Sequence, residues 1–492
     1  MHRNKKKHTL SFLLRLIIVS IWLCMLGVLI QREVHKRAPV DFDADTLGQH
    51  IDTKHEWAGI YFNNNKIGYT HTDIKKVEEG YHFTEQVFLD MSLMNVPQQV
   101  HIYISSVTDR NFLLKLFSFK LKAGVIQFVA FGSIEGTVLK MVVDTGAGEQ
   151  KKTFSLPQPP IMASSLKYAV LKHGLTYGEA FTRTIFDPAT MGIRTLQVEI
   201  EQQESLNIRG KIYQGYKIRQ IFDGITVHTW IDAQGNIIKE ESPMGLVMIR
   251  EDEHEARTAG WGKRQDMVEA TAVKVKNPFL KDGLVSLRLS LKNVALDGFM
   301  LQGGRQLVNG DCITISLEQI KKTDTYELPY KHEDMQDFLK PEPFIESDDD
   351  GIRQYAATII GATTDAQSAV RLLCHWVYAT LEKRPTVSIP SARAVLAARQ
   401  GDCNEHAVLF VALCRAAGIP ARICAGLVYM RGGFYYHAWA EVYLTTWVSI
   451  DPTLNQFPAD VTHIKFVHGS LEQQTKLLKL IGKLSIEVIE YL

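Results

Sequence analysis

The chain has 492 residues, 46% hydrophobic and 22% charged, with 55 basic and 54 acidic side chains and a formal net charge of +1. That balance excludes intrinsic disorder and a strongly basic nucleic-acid binder, so no nucleic acid is expected as a partner. Six cysteines in this length exclude a disulfide-built scaffold.

The near-neutral total conceals a split. Residues 1–37 set eight basic side chains against Glu33, which leaves 47 basic and 53 acidic residues, a net of −6, for 38–492. Leu16 to Ile30 carries no charge, and back to Leu10 the one charge is Arg15. A bilayer core takes ~20 apolar residues. With Arg3, Lys5, Lys6 and Lys7 upstream, residues 10–30 predict a single-pass inner-membrane helix, N-terminus cytoplasmic and body periplasmic. The rival is a cleaved signal peptide, but Gly27-Val28-Leu29-Ile30 offers no small-x-small cleavage site. Residues 1–37 are read as basic end plus anchor, and 38–54 as a tether.

The hydrophobic period then becomes two. Gly59-Ile60-Tyr61-Phe62 and Lys66-Ile67-Gly68-Tyr69 flank Asn63-Asn64-Asn65, a hairpin signal. Val100, Ile102 and Ile104 alternate with polar neighbours, as do Leu196, Val198 and Ile200. Residues 55–250 therefore predict a β-rich accessory domain, a sandwich or a curved half-barrel, with one short helix over Met162–His173 stopped by Gly174. Residues 251–266 read as a charged linker. Residues 267–340 return to alternation, for example Leu287-Arg288-Leu289-Ser290-Leu291, and predict a small β-rich segment or domain.

From 346 to 492 helices come first. Ile352–Ile360 closes on Gly361, Asp365–Lys383 carries apolar residues at three- and four-residue steps, and Ser391–Arg399 follows Pro390. A helix from Cys403 to Ala417 ends at Gly418 and Pro420. Strands follow over Arg422–Val428, His437–Leu444 and Trp447–Ile450. The predicted class is α+β: an N-terminal transmembrane helix, β-rich middle domains and a C-terminal mixed core.

Chemistry concentrates in 401–453, where three pieces occur in order: Gly401-Asp402-Cys403, His437-Ala438-Trp439 and Asp451-Pro452-Thr453. Cys403 opens a helix, where unpaired N–H groups and the positive dipole end favour thiolate. The same N–H groups suit an oxyanion. Asp402, next to the sulfur, opposes this. His437 and Asp451 fall on neighbouring strands, so a hairpin places imidazole and carboxylate side by side: nucleophile, base and orienter. Tyr436 and Trp439 flank His437 and are expected at the substrate cleft, although core packing accounts for Trp439 equally well. Cys403-x-x-His406 lacks a second ligand pair, so no metal is expected. Cys374, Cys414 and Cys424 sit in apolar contexts and read as core.

These three pieces closely resemble the transglutaminase-like superfamily of papain-related Cys-His-Asp enzymes. The resemblance spans about 100 residues, from the helix carrying Trp376 to Asp451-Pro452-Thr453. It implies a papain-like core, with Cys403 as nucleophile, His437 as general base and acid, and Asp451 as orienter. It further implies acyl transfer through a thioester without a cofactor. The substrate would be a protein or peptide amide, and the acceptor water or an amine. The β-rich regions are similar to accessory domains of exported bacterial members, which implies a Gram-negative envelope. The alternative class is a non-catalytic envelope assembly or binding protein that keeps the core as a scaffold.

Overall fold

The computed structural model describes residues 53–492 apart from 125, 174–176, 243–244, 259–260, 263 and 276. The basic end, the anchor expected at residues 10–30, most of the tether and the helix-stopping Gly174 lie outside the described residues.

Alternating strands joined by tight turns build the first unit. A single fourteen-stranded antiparallel sheet runs from Thr53–Phe62 to Leu246–Glu251. Its hairpins turn on two residues with positive φ: Asn63 and Asn64 (47° and 64°), Met94 and Asn95 (49° and 65°), Arg209 and Gly210 (51° and 83°). Paired positive φ values match the twist of the strands they join. The first eight strands, up to Glu149–Ser155, pair in chain order, as do the last six, from Ala180–Asp187. The two series meet where Thr53–Phe62 pairs with Leu246–Glu251, for example Gly59 with Ile249. The Leu166–His173 helix sits against both series: its Leu166, Tyr168 and Val170 share a core with Ile74 and Phe83 of one and Val198 and Ile218 of the other. The stretch read as a linker carries a short helix, Glu253–Thr258.

The C-terminal part is built on the Cys403–Ala416 helix, buried from Glu405 to Arg415. Helices Asp350–Ile360, Ala366–Thr380 and Ala392–Ala398 share its core, together with Ile423, Ala438, Ala440 and Ile450 from the sheet. That sheet runs Val273–Lys274, Gly433–Tyr443, Ala421–Met430, Ile464–His468, with Trp447–Ile450 also paired to Gly433–Tyr443. A four-stranded sheet joins Gln306–Asn309, Cys312–Ser316 and Ser286–Lys292 to Ser485–Tyr491. The β-rich segment after residue 267 therefore shares a sheet with the far end of the C-terminal part.

The expected class needs correction. Strands take up 49% of the described residues against 20% for helices, so the protein is strongly β-rich. No helix among the described residues is long and apolar enough to cross a membrane, and the expected transmembrane helix has no support in the structure. The physical reason for the β excess is strand length: Gly192–Ile208 alone has 17 residues, and several others have 10 to 14. The helices cluster in the C-terminal part and are few.

Candidate active site

The position of Cys403 follows from how its helix begins. Asp402 caps the helix: its side chain accepts the Asn404 N–H at 2.9 Å, while Glu405 accepts the Asp402 N–H at 2.8 Å. This reciprocal pair satisfies two end donors and fixes the first turn. Ser388 also donates to Glu405. His406 Nδ1 lies 2.6 Å from the Asp402 carbonyl oxygen. Glycine at 401 is a packing requirement, because a Cβ there would meet Glu405 Cβ at 2.3 Å. Cys403 follows the cap, partly exposed.

His437 lies in the Gly433–Tyr443 strand and Asp451 just beyond Trp447–Ile450, its hairpin partner. His437 Nε2 stands 2.8 Å from Asp451 Oδ2. The Cys403 sulfur shares a side-chain hydrogen bond with His437 and also takes the Ala438 backbone N–H. Since Nε2 is committed to Asp451, Nδ1 is the ring nitrogen left for the sulfur. The structure thus brings Cys403, His437 and Asp451 into one chain of contacts.

Two residues that sequence reading missed extend that chain. His463 Nε2 lies 3.0 Å from the same Asp451 Oδ2, and its Nδ1 lies 3.0 Å from Asp460 Oδ1. With a carboxylate on each ring nitrogen, His463 is held as a cation. Asp451 Oδ1 accepts the backbone N–H groups of Thr453 (2.7 Å) and Leu454 (3.2 Å). No motif spacing marks His463. It enters the site because Ile464–His468 pairs beside Ala421–Met430, and that register is made by long-range contact. The one local hint is a histidine directly ahead of the short strand-like segment Ile464-Lys465-Phe466-Val467.

Trp439 does not line an open cleft. It has no exposed surface and packs beside His437, with centroids 6.1 Å apart, and edge-on to His463 at 5.2 Å. Gly426 leaves room at this wall, because a Cβ there would strike the Ile464 carbonyl oxygen at 1.9 Å. Tyr436 is half-buried on the neighbouring core, its hydroxyl buried.

Charge in the site is unevenly held. Burial raises and His437 and His463 lower the Asp451 carboxyl, and the histidines win, holding it well below the usual carboxylate range. Burial pushes His437 down, but Asp451 and Cys403 outweigh it and bring its pKa to about 9. Burial and then Asp402 push the Cys403 thiol up, against His437 and the Ala438 N–H. The helix dipole expected to favour thiolate does not prevail against burial and Asp402. Asp402 itself is raised well above its ordinary value by burial and Glu405.

His437, Asp451 and His463 bring ligand atoms within 4.8 Å of one another, a spacing that a metal ion can span. Each facing pair is already hydrogen-bonded and the far nitrogen of His463 is committed to Asp460, so the cluster is complete as a proton network.

Residues 353–452 match the family model of the transglutaminase-like superfamily. They form a transglutaminase-like domain. An uncharacterised protein of Haemophilus influenzae is 33% identical over 100 residues, 19% of this chain and 27% of that protein. The chain thus spans about a quarter of that relative's length. Among solved structures, a candidate cysteine protease from Cytophaga hutchinsonii is 19% identical, covering 42% of this chain and 87% of its own, with a TM-score of 0.28. A β-barrel-like protein of a domain of unknown function from Brucella abortus is 10% identical over 40% of this chain and 95% of its own, TM-score 0.32. The periplasmic domain of TgpA from Pseudomonas aeruginosa, bound to ethylmercury, is 19% identical over 39% of this chain and 77% of its own, TM-score 0.25.

Proposed function

We propose that this protein is a cysteine acyl-transfer enzyme acting on protein or peptide amides through a thioester on Cys403. The observation that supports it most is the continuous contact from the Cys403 sulfur through His437 to Asp451, with His437 holding a proton position between sulfur and carboxylate. His437 takes the thiol proton through Nδ1 as the sulfur attacks the carbonyl carbon. Among the described residues the backbone N–H of Cys403 makes no hydrogen bond, so it is available to the developing oxyanion. Collapse breaks the C–N bond, and the leaving amine receives the proton from His437. Water or an incoming amine then gives its proton to His437, attacks the thioester and restores the thiol. Hydrolysis is the favoured outcome, since none of the described features marks an amine pocket.

A second reading keeps the core as a non-catalytic binding scaffold. One observation favours it: burial and Asp402 hold the Cys403 thiol above its ordinary value. A small activated ester separates the two. Mass spectrometry of the intact protein should show one acyl group, mapped to Cys403, absent in Cys403→Ala and slow to form in His437→Ala. A protein that acquires no selective adduct is a scaffold. Products formed with and without a lysine-like amine then assign the acceptor.

A further inference from the structure

A groove of about 550 Å³ runs between the large sheet and the transglutaminase-like domain. One wall comes from strands Val96–Asp109 and Leu114–Ala123, which supply Gln98, His101 and Lys122. The other wall is the segment holding Arg384 and Thr386, together with Gln400; Arg264 closes one side. None of the lining residues is a carboxylate, although the chain beyond residue 37 is net acidic. Lys122, Arg264 and Arg384 are exposed. Arg264 reaches Asp90 at 2.6 Å, whereas among the described residues no carboxylate pairs with Lys122 or Arg384. Two cations without a carboxylate partner, Lys122 and Arg384 (the latter donating to Gln400 Oε1 at 3.4 Å), therefore face an opening of the size that small ligands and peptide segments occupy.

The groove is tied to the nucleophile. Glu382–Lys383 pairs in parallel with Gln400–Gly401, and the Arg384 N–H donates to the Gly401 carbonyl at 3.1 Å. Cys403 begins its helix two residues later. Gln98 Nε2 donates to the Pro385 carbonyl at 3.1 Å, so the two walls are fixed to each other.

We propose that this groove binds an acidic peptide segment of the acyl donor, with carboxylates on Lys122 and Arg384 and backbone amides against Gln98 and Gln400. The role as donor site rests on the acyl-transfer reading above. Guanidinium matches carboxylate in a planar, two-bond geometry, and glutamine amides match a peptide backbone. A peptide fits this lining better than a nucleic acid, because the only ring in the lining, that of His101, already packs on Phe88 (4.9 Å) and Tyr103 (6.4 Å).

The test uses the described chain as its Cys403→Ala variant and fluorescein-labelled hexaglutamate, followed by fluorescence anisotropy. Hexaglutamate should bind, more weakly as salt rises, and the added pair Lys122→Glu and Arg384→Glu should weaken it about tenfold or more. The pair Lys122→Gln and Arg384→Gln should give an intermediate loss. Both side chains are exposed, so unchanged circular dichroism is expected and checks folding. Equal binding by the variants, or binding of hexaglutamine or hexalysine as tightly as hexaglutamate, overturns the proposal. So does a hexathymidylate that binds more tightly than the peptide. Acylation of Cys403 by a small neutral ester is measured separately in the wild type. Peptide binding without acylation sinks the acyl-transfer reading and supports the groove, whereas acylation without peptide binding sinks the groove alone.

Discussion

Asp451 receives His437 and His463 on one oxygen. Burial lowers the His463 pKa but Asp451 and Asp460 outweigh it and raise it, and in its protonated form His463 offsets part of the Asp451 charge felt by His437. Cys403 and His437 are both pushed up, His437 to about 9. Alkylation of Cys403 by iodoacetamide should therefore keep rising with pH into the alkaline range instead of levelling off below neutrality. In His463→Gln a donor to Asp451 is kept but the positive charge is lost. Asp451 then acts on His437 without that offset, and the inflection should move up by about one pH unit. An unchanged alkylation profile would show that His463 exerts no charge on the pair. Of these residues, Cys403, His437 and Asp451 are legible in the sequence because each sits in a short local pattern. His463 and Asp460 are not, because only the sheet register of Ile464–His468 brings them in.

The Cys403–Ala416 helix shows how much an element's first turn decides. Its glycine, its cap and Cys403 occupy three consecutive residues, 401 to 403, and the box closes through Glu405. In Gly401→Ala the new methyl would have to displace Glu405, whose Cβ and Cγ lie 2.3 and 2.4 Å from the added atom. Urea unfolding should show a loss of ~1–3 kcal/mol for such crowding. Acylation of Cys403 should slow in the same variant, since the turn that aims the sulfur is the turn that moves. Wild-type unfolding and acylation in this variant would mean that Glu405 relaxes freely. Helix ends are legible wherever a local residue sets them: Gly361 follows Ile360 with φ of 57°, and Gly418 follows the last helix turns with φ of 77°. Hairpins are legible for the same reason at Asn63-Asn64. What the sequence does not display is which strand lies beside which. Alternation reports that a face is buried and says nothing of its partner, so Ser286–Lys292 gives no sign of pairing with Ser485–Tyr491.

At the scale of the whole molecule the accessory sheet and the transglutaminase-like domain share a core. Phe344 and Ile389 pack in one apolar cluster with Phe117, Phe119 and Phe128 of the sheet. Buried Glu346 accepts Gln150 at 2.9 Å and Ser391 at 2.6 Å, and Arg393 donates to the Ala147 carbonyl at 2.7 Å. Residues 346–492 alone would expose this face, lose the strand that Ser485–Tyr491 pairs with, and leave Glu346 without the Gln150 amide. The isolated fragment should accordingly show no cooperative thermal transition and should bind a hydrophobic dye, whereas residues 53–492 unfold cooperatively. A fragment that melts sharply would show that the shared cluster is dispensable. The boundary near 346 is visible in the sequence as Pro341, Pro343 and an acidic run.

The connectivity of the large sheet also sets an order of assembly. Every strand pairing in it but one joins sequence neighbours, many across two-residue turns, so each hairpin closes at little entropic cost and on a short timescale. The exception is the seam between Thr53–Phe62 and Leu246–Glu251. Closing it means bringing together ends separated by the whole intervening chain, and nothing local rewards the attempt until both series of strands are in place. That seam is therefore the late event in folding. The Leu166–His173 helix, which touches both series, is the surface against which the two halves find each other.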